Sequence, residues 1–173
     1  MVDGAVAKGF DFKGQSWLEY GDKFGFERDQ AFSVAAWIRP DPAGGTPFGK
    51  RDGTDMGGGW DVEFKGFRPI FRLVQKWPAE IIQVEAEKGL PVKVFSHLTI
   101  TYDGSGKAAG VRMYVNGDPI KMITSADKLS GSIKSPAPFR IGRRGGEASP
   151  FHGIVDDLRI YARALPNLSL IHI

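Results

Sequence analysis

The chain has 173 residues, of which 42% are hydrophobic, and it contains 23 glycines, 11 prolines and no cysteine. These totals suit one domain with a sizeable core, and they exclude disulfides and thiolate metal sites. The net charge of +3 comes from 23 basic and 20 acidic residues, a balance that does not indicate nucleic-acid binding. No apolar run is long enough for a transmembrane helix, and the start MVDGAVAKGF lacks the pattern of a signal peptide.

The first half of the chain consists of short strand-like runs separated by turn residues. Phe10 and Phe12 open the first run, and a second run at residues 17–20 follows a glycine turn, so we expect a hairpin, one side of which pairs with the far end of the chain. Residues 31–39, AFSVAAWIR, are apolar on both faces, which predicts a strand covered on both sides. Residues 41–59 fit no regular element, and loops of this length are usually functional or mobile.

The second half carries the strongest strand pattern. Alternating runs at 60–64, 69–74 and 80–87 lead into residues 95–122, where two alternating segments flank a glycine-rich loop. Asn116-Gly117 follows, the dipeptide that best tolerates positive φ at both centres of a type I′ turn. We expect a three-stranded meander whose third strand leaves through Ile120 and Met122. Short strands near 139–141 and 154–161 complete an all-β chain, which predicts a two-sheet antiparallel sandwich.

Five segments, in this order, are similar to a laminin-G-like module of the concanavalin-A-like lectin/glucanase superfamily: FSVAAWIRP, HLTITYDGSG, VRMYVNGDPI, PFRIGRR and FHGIVDDLRIYARAL. The resemblance covers residues 4–165 and implies a jelly-roll sandwich of two curved sheets. Phe95 stands where the family commonly has tryptophan, and the ending PNLSLIHI departs from the family. We therefore place the domain at residues 1–165 and treat residues 166–173 as a tail outside the module.

The resemblance implies a binding function. Such modules bind carbohydrates, glycoproteins or other proteins, and in bacteria they are often parts of large exported proteins, which implies an extracellular, periplasmic or cell-surface location. Some bind calcium at a sheet edge, and a minority are glycoside hydrolases, so the fold alone does not choose. We expect a noncatalytic module that binds a glycan, with neither nucleic acid nor membrane insertion. The alternatives are a structural or protein-docking module without a glycan site, and a glycoside hydrolase.

The carboxylates do not form a recognisable catalytic pattern. Retaining glycosidases need two carboxyl groups about 5 Å apart. Asp61 and Glu63 share one face of a predicted strand, but no third acid follows to complete an E-x-D-x-x-E run. Asp156 and Asp157 lie in the last hydrophobic strand, where we expect a structural ion pair with a nearby arginine rather than catalysis. No catalytic residue is predicted.

The ligand site is predicted at Trp60 and Trp77, with Arg68 and Arg72 beside them. An exposed indole can stack on the apolar face of a sugar, and Trp77 precedes a proline in a loop. The alternative for both tryptophans is ordinary packing, which we expect for Trp17 and Trp37.

Five arginines (Arg68, Arg72, Arg140, Arg143 and Arg144) would suit a sulfated or uronic polysaccharide if they converge. The alternative is dispersed surface charge. Asp52 and Asp55 are oxygen ligands on a glycine-rich loop and predict a calcium site, against the alternative of a solvated turn.

Overall fold

The computed structural model describes residues 1–53, 57–145 and 149–166. Within these ranges the regular secondary structure is almost entirely β-strand, and no helix is long and apolar enough to cross a membrane. A single 3-10 turn lies at Ala108–Gly110. The strands are β1 (Val2–Asp3), β2 (Lys8–Lys13), β3 (Leu18–Glu19), β4 (Phe32–Pro40), β5 (Gly45–Arg51), β6 (Gly59–Lys65), β7 (Arg68–Lys76), β8 (Glu80–Ala86), β9 (Ser96–Tyr102), β10 (Val111–Val115), β11 (Asp118–Pro119), β12 (Met122–Asp127), β13 (Arg140–Ile141) and β14 (His152–Tyr161).

The strands form two seven-stranded antiparallel sheets, which confirms the predicted sandwich. The first sheet has the order β1-β2-β14-β4-β9-β10-β11, and the second has the order β12-β8-β7-β6-β5-β13-β3. Strand β2 pairs with β14 near the far end of the chain, whereas β3 pairs with β13 in the other sheet. The predicted hairpin of residues 10–20 is therefore wrong, because its two halves belong to different sheets.

The core lies between the sheets and is rich in aromatic rings. Alternate residues of each strand point inward, so Phe32 of β4 meets Trp60 and Phe71 of the second sheet at ring distances of 5.4 and 6.0 Å. Each fully buried ring of this kind stabilises the fold by roughly 2–3 kcal/mol. The outward-facing residues of the same strands are left to form the two outer surfaces.

The hairpin in the 95–122 segment is confirmed, but its third strand is shorter than expected. Asn116 and Gly117 have φ of 53° and 88°, as a type I′ turn requires, and the Asn116 side chain accepts a hydrogen bond from the His97 amide at 2.8 Å. Strand β11 has only two residues, and from Met122 onward the chain pairs with β8 in the second sheet. Alternation in a sequence is the same whichever sheet supplies the partner, which is why the crossing was not predicted.

Residues 41–59 contain a strand that the sequence did not predict. Strand β5 is buried along its whole length between β6 and β13. Its sequence, GTPFGKR, has the glycine and proline of a loop, but a shift in register between Gly45 and Phe48 accommodates Pro47. Two neighbouring strands thus override a weak local propensity.

Candidate functional site

The outer surface of the second sheet carries a connected group of charged residues, which we call the polar face: Arg51, Asp61, Glu63, Arg72, Gln83 and Arg144. The strand register assembles it, because residues directly opposite each other share a face. Asp61 of β6 lies opposite Arg72 of β7, which in turn lies opposite Gln83 of β8. On the other side Asp61 faces Gly49, where a Cβ atom would lie only 2.8 Å from the Asp61 Cβ. Because Gly49 has no side chain, the Asp61 side chain can lie in this space.

Asp61 is the centre of the polar face and is 0% exposed. Its carboxylate accepts a hydrogen bond from Arg144 Nε at 2.7 Å and lies 3.4 Å from Nη1 of both Arg51 and Arg72. Burial alone would raise the pKa of Asp61, but the charges of Arg144, Arg72 and Arg51 outweigh it and lower the pKa below its ordinary value. Asp61 is therefore a carboxylate at neutral pH, fully occupied by guanidinium groups.

Glu63 extends the network toward the surface. It accepts hydrogen bonds from Arg144 Nη2 at 3.0 Å and from the Ser149 hydroxyl at 2.8 Å, and it pairs with Arg72. Burial would raise the pKa of Glu63, but Arg72 and Arg144 more than compensate and lower it. Both acids on this strand face are thus held ionised by the same two arginines.

Trp77 covers part of the polar face. Its ring lies 5.0 Å from the Arg51 guanidinium carbon and 5.5 Å from that of Arg72, distances at which a cation interacts with an aromatic face. The side chain is half-buried, so part of the indole remains accessible. Arg72 is further fixed by donating from Nε to Gln83 at 2.7 Å. The indole and the charged groups form one continuous, ordered surface.

A depression of about 460 Å³ opens beside Glu63 and Arg72. Its lining combines charged and hydroxyl groups with backbone and a few apolar side chains, a mixture that suits a polar ligand. The lining residues are Ala43, Gly45, Glu63, Phe64, Lys65, Gly66, Ile70, Arg72, Ser149, Pro150 and His152.

Three of the four residues predicted to bind a ligand lie at the surface of the second sheet or at its edge, and one does not. Trp60 is 1% exposed and packs in the core, where its Nε1 donates to the Phe24 carbonyl at 2.9 Å. The prediction for Trp60 is wrong, because no face of its ring is available to a sugar. Trp77 and Arg72 belong to the surface described above. Arg68, at the start of β7, lies 3.9 Å from Glu85.

The predicted basic surface is largely neutralised by local partners. Arg140 pairs with Glu19 at 2.9 Å, and the guanidinium of Arg143 lies 3.9 Å from the ring of Trp17. Trp17 is 46% exposed, so its predicted place in the core is wrong, and Trp37 is half-buried on the outer side of the first sheet. Arg72 and Arg144 do meet, but at Asp61 and Glu63, which neutralise them. Arg68, Arg140 and Arg143 have separate partners, so the five arginines do not share one basic surface.

Asp156 and Asp157 have different partners. Asp156 accepts hydrogen bonds from the amides of Val6 and Ala7 at 2.9 and 3.2 Å, so backbone donors and not an arginine hold this acid. The backbone supplies these donors because the N-terminal segment passes beside β14. Asp157, at a register shift in β14, forms the expected kind of pair with Arg159 at 2.8 Å.

The calcium prediction is left open. Asp52 Oδ1 accepts a hydrogen bond from the Gly53 amide at 2.8 Å, as in an ordinary turn. Asp55 lies outside the described residues. Among the residues that the structure describes, no three His, Asp or Glu side chains are grouped closely enough to hold a metal ion. The Asp52–Asp55 site therefore stays a prediction.

Sequence reasoning missed the participation of Arg51 and Arg144 in the polar face. The alternation in WDVEF places Asp61 and Glu63 opposite an apolar face, and Arg72 falls on the matching face of β7, so half of the network was readable. Arg144 follows the short strand β13 and reaches an acid 83 positions away in the chain. No local pattern marks such a contact.

Two antiparallel sheets with a shared apolar core and a charged outer face define the class as a jelly-roll β-sandwich. The family model described as the concanavalin A-like lectin/glucanases superfamily matches residues 12–168. The chain therefore belongs to this superfamily, as the sequence motifs predicted. No curated protein matches it in sequence.

Solved structures share the fold at low sequence identity. The binding domain of Paraclostridial Mosquitocidal Protein 1 superposes with a TM-score of 0.73 at 19% identity, over 99% of this chain and 44% of that one. Domain 4 of AbnA, a GH43 extracellular arabinanase from Geobacillus stearothermophilus solved with arabinotriose, superposes with a TM-score of 0.62 at 23% identity, over 99% of this chain and 78% of that one. The Ruminococcus gnavus IT-sialidase CBM40 bound to alpha2,3 sialyllactose superposes with a TM-score of 0.63 at 14% identity, over 91% of this chain and 96% of that one. The chain thus spans less than half of the first of these relatives.

Proposed function

We propose that this chain is a noncatalytic carbohydrate-binding module of a larger exported protein, and that it binds its glycan on the polar face. The observation that carries the proposal is the fixed array of Arg72, Glu63 and Ser149 beside the 460 Å³ depression, with the Trp77 ring 5.5 Å from the Arg72 guanidinium carbon. Charged donors and acceptors held in place give strong hydrogen bonds to hydroxyl groups, and an accessible indole can stack on a sugar ring.

The state of the two acids argues against a glycosidase on this face. A hydrolase needs one carboxyl group that keeps its proton near neutral pH in order to protonate the leaving group. Arginines lower the pKa of both Asp61 and Glu63, so neither acid carries that proton. Asp61 is also inaccessible to a substrate. This chemistry supports binding without bond cleavage.

The comparisons support the same proposal at the level of function. Two of the similar structures contain a bound oligosaccharide, arabinotriose in one and sialyllactose in the other. One of these domains comes from an extracellular enzyme. A module of this fold attached to a larger exported protein would bring that protein to a glycan.

A glycan array tests the proposal. We expect saturable binding to one glycan class, weakened about 5- to 150-fold in Trp77→Ala, since loss of a stacking aromatic ring costs roughly 1–3 kcal/mol. Trp37→Ala is the matched control, because Trp37 is also half-buried but lies on the outer side of the opposite sheet. Melting temperatures of all three proteins separate loss of binding from loss of folding.

If Trp77→Ala and Trp37→Ala weaken glycan binding equally, the polar face is not the glycan-binding site. Silence of the wild-type protein across neutral, acidic and sulfated glycans would favour the alternative, a structural or protein-docking module without a glycan site.

A further inference from the structure

A second concavity lies at one edge of the sandwich, between the two sheets. This cleft has a volume of about 310 Å³ and opens where β2 and β14 of the first sheet face β13 and the loop at residues 20–24. It shares no lining residue with the depression on the polar face. Three of its aromatic side chains are unusually exposed: Phe10 at 41%, Tyr20 at 49% and Phe24 at 40%. We call it the aromatic cleft.

Two residues of the aromatic cleft have a strained backbone. Phe24 has a φ of 56° and Asp157 has a φ of 47°, values in the left-handed region that a bulky residue such as phenylalanine rarely adopts. Strain of this kind persists only where the surroundings enforce it, and it concentrates at functional sites. Both residues line the same cleft, one from each wall.

Buried polar side chains from the second sheet enforce the position of Phe24. Trp60 donates to the Phe24 carbonyl at 2.9 Å, and Lys50, which is only 2% exposed, donates to Asp22 at 2.7 Å and to the Ala137 carbonyl at 2.7 Å. These bonds attach the 22–24 loop to strands β5 and β6 of the second sheet. The Phe24 ring then packs edge-on against Phe139, at 4.9 Å and 75°. The aromatic wall is therefore formed before any ligand arrives.

The lining selects an uncharged aromatic ligand over a sugar or an ion. The charged groups at the cleft already have partners: Asp156 binds two backbone amides, Asp157 binds Arg159, and Lys8 pairs with Asp3. The Asp156 carboxylate is only 6% exposed, so an ionic ligand would find little accessible counter-charge, and sugar hydroxyls would lose hydrogen bonds to water without replacement. Aromatic rings, in contrast, gain edge-to-face contacts with Phe10, Tyr20, Phe24 and Phe139.

We propose that the aromatic cleft is a binding site for a small neutral aromatic compound. Its volume of about 310 Å³ fits a molecule of two or three rings and lies at the lower end of the range of small-molecule pockets. The site is separate from the polar face, so failure of either proposal leaves the other standing.

The test uses N-phenyl-1-naphthylamine, a neutral three-ring dye whose fluorescence rises in apolar surroundings. We expect saturable binding of one dye per wild-type chain. Phe24→Gly removes the ring while glycine accepts the positive φ, so this variant should fold and bind the dye about tenfold more weakly, as expected when one aromatic contact is lost. Leu158→Trp, which fills the cleft from β14, should also reduce binding.

A second apolar cavity supplies the matched control. It has nearly the same volume, about 300 Å³, and is lined by Leu90, Val115 and Ile120 without any aromatic ring. Ile120→Ser should leave dye binding unchanged. The proposal is overturned if the dye does not bind, if Ile120→Ser reduces binding as much as Phe24→Gly, or if neither cleft variant has an effect. The proposal would also be overturned if the wild-type protein were a dimer that binds no dye and if Phe24→Gly made it monomeric, because the cleft would then be an interface between two copies of the chain.

Discussion

Replacing Asp61 with asparagine tests the energetic centre of the polar face. The substitution keeps the shape of the side chain but removes the charge that faces Arg51, Arg72 and Arg144, whose side chains are only 3%, 8% and 15% exposed. Removing one member of a buried ion pair typically costs about 3–5 kcal/mol. Glu63 still neutralises Arg72 and Arg144, so we expect the lower end, about 3 kcal/mol.

The assay is urea unfolding of the wild-type protein and of Asp61→Asn at pH 7, with thermal melting as a second measurement. For a chain of this length each kcal/mol corresponds to a shift of about 2–4 °C, so the melting temperature should fall by at least about 6 °C. Glu85→Gln is the control, because Glu85 and Arg68 lie 3.9 Å apart near the surface. A pair of that kind contributes at most about 1 kcal/mol.

The pH dependence gives a second, independent check on Asp61. Its pKa is lowered in the folded protein, so the folded state binds fewer protons than the unfolded chain in the acidic range. The stabilisation is complete above the ordinary carboxyl pKa of about 4 and is lost as the pH falls through the lowered value. The difference between the two proteins should therefore stay constant from pH 7 to about 5 and shrink below about 4. A difference under about 1 kcal/mol at pH 7, or one that does not shrink in acid, would refute the reasoning.

Three further predictions concern other parts of the chain. Burial lowers the pKa of His97, although the charge of Asp157 acts in the opposite direction. As the pH falls below the ordinary histidine pKa of about 6.5, the unfolded chain takes up a proton that the buried imidazole does not, so the folded state loses stability. The melting temperature should drop between about pH 6.5 and 5, and more steeply than in His97→Gln; equal slopes would contradict this. Gly117→Ala places a Cβ at a φ of 88° and should lower the free energy of unfolding in urea by about 1–2 kcal/mol, whereas no change would speak against the turn geometry. If the Asp52–Asp55 loop binds calcium, excess calcium should raise the melting temperature relative to chelator and Asp52→Asn should abolish the rise; an unchanged melting temperature counts against the site.

The strand pattern and the tight turn could be predicted from the sequence because both are local properties. Alternation at residues 97–102 and 111–115 predicted β9 and β10, and Asn116-Gly117 predicted the turn between them. The same alternation of apolar and polar residues groups Trp60 with Val62 and Phe64 on one apolar face of β6. The prediction that Trp60 binds a ligand disregarded this alternation, and the burial of Trp60 shows that the alternation was the better guide.

What the tertiary structure alone decided is which residues meet across the sheets. Strand β5 exists because β6 and β13 pair with a segment that has little strand propensity of its own. Arg144 reaches Asp61 across 83 positions, and Lys50 and Trp60 hold a loop that begins about thirty residues earlier in the chain. Local periodicity fixes the direction in which a side chain points relative to its own strand. Its partners depend on strand order and register, which the packing of the whole chain determines.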